Sequence, residues 1–351
     1  MIDKIKIYLP ATEFNGDLSC WQLDSQDKFF DVYRYSRKDL LHPFPLVLRF
    51  HRTKKSISIL GSLRKWYWGE FSLADFDRNT FYIALKTLAK SLNIPLNCLC
   101  SGLITQCEIG LNIRTRVSPL TILPQIVAYK NFKREEMYEK DGTIYFGTGN
   151  SSRLLIIYDK LKEICDRAKG DDVGKLQKVQ NALSRKGYYF LRMEVEMKDK
   201  KSFKELHFGH IQNLGDICRH WGDLYSVWSI VMAGLIVYSG IKEDRQMTPE
   251  EYTTAATLTN KGFYQTMREI LSRCVSRTIN GRKTRISKER KHILSVSRKY
   301  ADKSSYNIYT LKADMAKAAL LRKRKKEKLN LLFLCKILWN VPIAYNNKRE
   351  K

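Results

Sequence analysis

Arg153-Leu154-Leu155-Ile156-Ile157-Tyr158-Asp159-Lys160 is a compact apolar run suited to a buried strand. It leads directly into residues 160–169, where the apolar spacing is helical. A polar helix around 174–185 and a further strand at 188–198 follow. Upstream, apolar alternation marks strands at 2–9, 45–51, 56–60 and 103–113, and a helical pattern covers about 73–92. A short helix is expected near 122–129. Within 137–146, Asp141-Gly142 favours the positive backbone dihedrals of a tight hairpin turn. Strands separated by helices and a hairpin, without a βαβ repeat, predict an α+β fold: a mainly antiparallel sheet with helices packed on it.

Beyond residue 205 the pattern is helical. Thr248-Pro249-Glu250-Glu251 offers an N-cap, a first-position proline and a capping-box glutamate. Phe263, Met267, Ile270, Leu271 and Cys274 form an apolar stripe that Asn280-Gly281 closes, and 282–299 and 311–328 are basic helical segments. The expected division is a catalytic unit at 1–205 and a basic helical accessory domain at 206–351, consistent with a length of 351 residues.

With 44% hydrophobic residues the chain can fill a core, which rules out disorder as its overall state. The 63 Lys and Arg outnumber the 36 Asp and Glu, for a net charge of +27, and residues 241–351 carry +17 of it. So one-sided a density points to a polyanion, with nucleic acid the better reading than a merely solvated or membrane-bound surface. The eight cysteines show no CxxC pair and no zinc-ligand clustering with histidine, which fits free thiols in a reducing cytosol. The longest apolar stretch, 224–238, falls short of the roughly twenty residues of a bilayer span. A buried helix is expected there, and no membrane partner.

Alternation also gathers polar groups. Gln106, Glu108 and Asn112 share one face of their strand, and Arg192, Glu194, Glu196 and Lys198 share one face of theirs. Carboxylates from neighbouring strands suit Mg2+ or Mn2+. An amphipathic sheet with its charged face in water reads the same way.

A string in fixed order separates the two readings. Thr143-Ile144-Tyr145-Phe146-Gly147 is followed by a polar loop, the apolar strand and Tyr158-Asp159-Lys160. Thr105-Gln106-Cys107-Glu108-Ile109-Gly110-Leu111 lies before it, and Arg192-Met193-Glu194-Val195-Glu196 after it. This order resembles the gene II/gene X replication proteins of filamentous phages and, more distantly, the rolling-circle initiators of plasmids. The family's Arg-x-Asp on the first of these strands stands here as Gln106-Cys107-Glu108, with the carboxylate lengthened and the arginine lost.

The resemblance implies a nickase that starts rolling-circle replication. Tyr158 matches the nucleophile, which would leave a 5′-phosphotyrosine and a free 3′-hydroxyl and later rejoin the displaced strand; Tyr145 is the nearest rival. A phenol of pKa about 10 needs activation. Glu108 and Glu194, with Glu196, would hold Mg2+ or Mn2+, and Lys160 or Arg153 would neutralise developing charge. Phosphate contacts are expected from Arg192, Lys198, Arg282, Lys283, Arg285, Lys288, Arg290, Lys291, Arg322, Lys323, Arg324, Lys325 and Lys326. Tyr300, Tyr306 and Tyr309 could stack on a melted strand, with helix packing as their other role, and His207 and His210 read as structural or surface residues. The implied partners are supercoiled double-stranded origin DNA, its displaced single strand and a host helicase, since no Gly-x-x-x-x-Gly-Lys-Ser/Thr string is present. The implied compartment is the host bacterial cytoplasm, and no small-molecule cofactor is expected. Two alternatives are a non-catalytic basic DNA-binding regulator of the same fold and a tyrosine recombinase, whose Arg…His-x-x-Arg arrangement is not found.

Overall fold

The computed structural model describes residues 1–10, 17–129, 132–133, 142–147, 152–242, 244, 246–274, 279–302 and 306–323. Its strands are β1 (Ile2–Leu9), β2 (Gln22–Gln26), β3 (Phe30–Tyr35), β4 (Leu46–His51), β5 (Ser56–Ser62), β6 (Leu103–Thr115), β7 (Ile126–Tyr129), β8 (Phe132–Lys133), β9 (Thr143–Phe146), β10 (Arg153–Asp159), β11 (Tyr189–Met197) and β12 (Leu235–Val237). Its helices are α1 (Leu63–Trp68), α2 (Arg78–Ser91), α3 (Leu96–Ser101), α4 (Pro119–Ile122), α5 (Lys160–Arg167), α6 (Asp172–Arg185), α7 (Lys200–Glu205), α8 (Leu214–Arg219), α9 (Trp221–Met232), α10 (Pro249–Ser272), α11 (Ile279–Lys299) and α12 (Ile308–Lys323). Nine strands form one sheet in the order β2-β3-β4-β5-β1-β6-β11-β10-β9, and β12-β7-β8 form a small second sheet. Adjacent strands of the large sheet are antiparallel throughout. The fold is α+β, a large antiparallel sheet with packed helices and a helical C-terminal region.

One sheet face is apolar. Ile109 and Leu111 of β6, Met193 and Val195 of β11, and Leu155 and Ile157 of β10 join Leu85 of α2, Ile217 of α8 and Leu224 of α9 in one core. Each such side chain contributes about 1.5–3 kcal/mol by leaving water. Trp228 of α9 anchors this layer, its buried indole N–H donating to the Met193 carbonyl at 3.1 Å. The other face is polar at its centre and is flanked by α5 and α6, which pack Leu161 and Leu183 on Phe190.

The first strand breaks its own period. Ile2 lies opposite Ile109 and Ile5 opposite Cys107, so three steps along β1 match two along β6. This bulge keeps Ile2 and Ile5 in the core while turning both Asp3 and Lys4 to the polar face, where Lys4 reaches Glu108.

Several expectations shift. The helix expected near 122–129 ends early: α4 and a 3-10 turn at Leu123–Gln125 give way to β7. Ile126, Val127, Ala128 and Tyr129 are all buried, and so short an apolar run reads equally as helix or strand. The 224–238 stretch divides likewise into α9 and β12. Asn280-Gly281 does not close a helix but lies in the first turn of α11, while α10 breaks at Gly262, whose φ is +72°. The expected capping box holds: Thr248 Oγ1 accepts from the Glu251 N–H and Glu251 Oε2 from the Thr248 N–H. Asp141 of the hairpin turn lies outside the described residues, and β9 pairs with β10.

The core does not divide at residue 205, because α8, α9 and Leu311 of α12 pack on the same sheet face as α2. A separate cluster joins α10 and α11, through Leu258, Phe263, Ile293 and Val296, to Ile236 of the small sheet. Among the described residues, no helix is long and apolar enough to cross a membrane.

Candidate active site

The polar face is built around β11. Its register sets Arg192 opposite Tyr158, and Glu194 opposite Gly110 of β6 and Ile156 of β10. The fully buried Arg192 guanidinium faces three carboxylates. Nε donates to Glu194 Oε1 at 2.7 Å, Nη2 to Asp3 Oδ2 at 3.0 Å, and Nη1 to Asp75. Arg64, on α1, donates to the same Asp3 oxygen at 2.7 Å, and the Ser62 hydroxyl donates to the other.

Asp75 belongs to the loop before α2 and is tied to the sheet by the Asn112 N–H, at 2.9 Å from Oδ2. Asn112 Nδ2 donates to the Leu73 carbonyl and Arg64 Nη1 to that of Ser72, each at 2.8 Å. Gly110 makes room for this cluster. A Cβ there would stand 2.8 Å from Arg192 Nη2 and 2.8 Å from Glu194 Cγ.

Tyr158 lies near the end of β10, and its hydroxyl donates to Glu194 Oε1 at 3.0 Å. Burial pushes the phenol well above 10, the Glu194 charge adds to the effect, and Arg192 opposes it. Tyr158 is therefore held as a neutral donor beside an acceptor for its proton. Lys160 follows at the start of α5, fully buried, with Nζ 5.6 Å from the Tyr158 ring centre and 2.7 Å from Glu163 Oε2. Burial and then Arg64 lower its ammonium pKa, against the pull of Glu163.

One oxygen from each of Asp3, Glu108 and Glu194 lies within 4.8 Å of the others. Burial raises the Glu108 carboxyl well above 4.5, helped by Glu194 and Asp3 and opposed by Lys4, whose Nζ is 2.9 Å away. Burial would raise Asp3 too, but Arg64, Arg192, Lys160 and the Ser62 hydroxyl hold it far below the carboxylate range. Three buried carboxylates this close could together hold a hard divalent cation. Of the three, Asp3 is also tied to Arg64 and Arg192.

The structure thus brings Tyr158, Lys160, Glu108, Glu194 and Arg192 together and leaves other expected residues apart. Glu196 lies opposite Glu108 but accepts from Gln106, outside the trio. Arg153 occupies the opposite face parity from Tyr158, at the far end of β10, and pairs with Glu205 at 3.1 Å. Arg192 is corrected from a DNA contact to an internal bracket, since its donors are taken by carboxylates and none faces solvent. Lys198 is half-buried at the end of β11.

Arg282, Lys283, Arg285, Lys288 and Lys291 are exposed on α11, with Arg290 half-buried. Arg324, Lys325 and Lys326 lie outside the described residues, as do the side chains of Arg322 and Lys323. Tyr145 stands opposite Ile156 on the face of Tyr158, but the hydrogen bond to Glu194 belongs to Tyr158. Tyr300 and Tyr306 are buried and bonded to Glu251 and Asp314, which favours packing over stacking, whereas Tyr309 is exposed.

Asp3, Arg64 and Asp75 carry no signal of their roles in the sequence. Asp3 is hidden by the bulge, and the other two lie on a helix and a loop without periodicity to mark them.

Residues 47–214 match the family model for the N-terminal part of the phage gene II replication-associated protein, a span that includes Glu108, Tyr158, Lys160 and Glu194. Over this span the chain is similar to the gene II replication-associated protein family of phages. No curated protein sequence matches it. Among solved structures it is similar to a rolling circle replication initiator protein from Geobacillus stearothermophilus, at 9% identity over 74% of this chain and 96% of that one, with a TM-score of 0.34. A likeness that loose assigns no residue.

Proposed function

We propose that the protein nicks one strand of double-stranded origin DNA through Tyr158 and later rejoins the displaced strand. The observation that carries this reading is the Tyr158 hydroxyl 3.0 Å from Glu194 Oε1, inside a buried carboxylate cluster on a family-matched sheet. Glu194 takes the phenol proton. The tyrosine oxygen then bonds to phosphorus, the P–O3′ bond breaks, and the leaving 3′ oxygen gains a proton to become the primer hydroxyl.

Arg192 holds Glu194 in place through Nε, and Lys160 keeps a positive charge next to the ring while the phosphodiester charge rearranges. Mg2+ or Mn2+ at Glu108 and Glu194, with Asp3 beside them, would polarise the non-bridging phosphate oxygens. Rejoining is the reverse attack by a 3′-hydroxyl on the phosphotyrosine, which needs no ATP because the phosphodiester energy is retained. The exposed cations of α11 contact phosphates, and strand separation falls to supercoiling or a host helicase.

The test is supercoiled origin DNA with Mg2+, followed by digestion and mapping of DNA-linked peptides. The expected adduct is on Tyr158, and Tyr158→Phe abolishes both nick and adduct. Nicking of supercoiled DNA by that variant at the wild-type rate overturns the assignment, and activity that survives EDTA overturns the carboxylate site.

A further inference from the structure

A second cluster of donor atoms lies in the helical layer that covers the apolar sheet face, away from Tyr158. His210 is in the connection between α7 and α8, His220 is between α8 and α9, and Asp223 is in the first turn of α9. His210 Nε2 is 2.8 Å from Asp223 Oδ2, and His220 Nδ1 is 3.7 Å from the same oxygen. The two imidazoles meet edge to face with ring centres 4.6 Å apart, and one donor atom from each of the three residues lies within 4.8 Å of the others.

Short, hydrogen-bonded turns fix the backbone at all three positions. Phe208 N–H donates to the Phe203 carbonyl and Ile211 N–H to that of Phe208, with the Ile211 side chain buried. Asp216 accepts from the N–H groups of Gln212 and Asn213 through its carboxylate and from His220 N–H through its carbonyl, so one residue ties the two histidine segments together. Asp223 N–H in turn donates to the His220 carbonyl.

We propose that His210 Nε2, His220 Nδ1 and Asp223 form a binding site for a borderline transition-metal ion, Zn2+ by preference, with a fourth position open to water. Two imidazoles and one carboxylate are a donor set that Zn2+ accepts and that Mg2+, which prefers an all-oxygen shell, does not favour. Bonds of about 2.0–2.1 Å in a tetrahedron put neighbouring donors about 3.3 Å apart. The 2.8 Å and 3.7 Å separations bracket that value, so small side-chain shifts admit the ion without moving the helices. The bound ion clamps the α7–α8 connection onto α9. That connection is stitched to the start of β6, where Ile104 N–H donates to the Gln212 carbonyl and Leu214 N–H to the Gly102 carbonyl. The site therefore steadies the strand that carries Glu108 from the side opposite the reaction.

The full chain, stripped with EDTA and dialysed, is titrated with Zn2+ by calorimetry and with Co2+ by visible absorption. Expected are one Zn2+ per chain, the intense bands of four-coordinate Co2+, and binding that excess Mg2+ does not displace. His210→Ala, His220→Ala and Asp223→Asn each weaken Zn2+ binding by at least about tenfold, with unchanged far-ultraviolet circular dichroism. Glu108→Gln keeps Zn2+ binding intact. Equal Zn2+ affinity in the histidine variants and the wild type overturns the proposal, as does loss of the ion in Glu108→Gln instead.

Discussion

Adding one methyl group at Gly110 tests the cluster more sharply than removing a charge from it. Gly110 lies mid-strand opposite Glu194, and a Cβ there would be 2.8 Å from Arg192 Nη2 and 2.8 Å from Glu194 Cγ, with Arg192 Cζ at 3.0 Å. Real Cβ atoms do not approach so closely, so the guanidinium or the glutamate stem must move. Neither moves freely, because Arg192 is held by Asp3, Asp75 and Glu194 at once. Overpacking of this kind costs about 1–3 kcal/mol, and the loss rises toward about 5 kcal/mol if one buried ion pair breaks.

Displacing Glu194 by about 1 Å also removes the acceptor from Tyr158, for an expected loss of about 100-fold in nicking. Urea unfolding of Gly110→Ala, with nicking of supercoiled origin DNA on the same preparation, reads both effects. The control is Gly174→Ala on α6, where a Cβ meets nothing within 4 Å and the alanine should add about 0.5–1 kcal/mol of stability. If Gly110→Ala unfolds at the wild-type denaturant concentration and nicks at the wild-type rate, the arrangement around Arg192 is not the packed bracket described.

Further outcomes follow from the same geometry. Arg192→Met leaves Asp3, Asp75 and Glu194 buried without their shared cation and should cost at least about 3–5 kcal/mol in denaturant unfolding, with Arg192→Lys unable to restore three contacts. Glu108 has a raised carboxyl, so folding favours its protonated form: that contribution is complete below pH 4.5 and is lost as pH climbs through the raised value. Glu108→Gln should therefore flatten the pH dependence of stability above pH 4.5, and Mg2+ should stabilise the wild type but not this variant. Glu251 has the opposite sign, since Lys299, the Thr248 N–H and Tyr300 hold its carboxyl down at about 2. Its tie between α10 and α11 is intact above pH 4.5 and is lost as pH falls toward 2, and Glu251→Gln should remove that acid step from amide exchange in α10.

Much of the large sheet was legible in the chain. The alternation at β1, β4, β5, β6 and β11 and the apolar run of β10 produced strands close to their expected bounds, because each buries one face. β2 went unread since all five of its residues are exposed and it has no apolar period, and β3 because its alternation is weak. Strand parity was enough to put Glu108 and Glu194 on polar faces, but Arg153 was assigned to the site although its parity on β10 is opposite to that of Tyr158. Parity failed at Asp3, where an inserted residue reverses it, and it promised Glu196 to a site that its bond to Gln106 keeps it from joining. Arg192 was misjudged for a different reason. A basic residue beside a proposed phosphate site reads as a ligand for that phosphate, and only the carboxylates arriving from β1 and from the loop before α2 show that it is already committed.

The Asp3–Arg192 pair closes a loop of 189 residues. During synthesis Asp3 can meet Arg64 once β5 and α1 have formed, but its pairing with Arg192 must wait for β11, and contacts of such sequence separation form slowly. The charge cluster is thus a late event in folding. A chain that stalls short of β11 lacks both Arg192 and Glu194, so the proposed cutting site is complete only with the whole sheet.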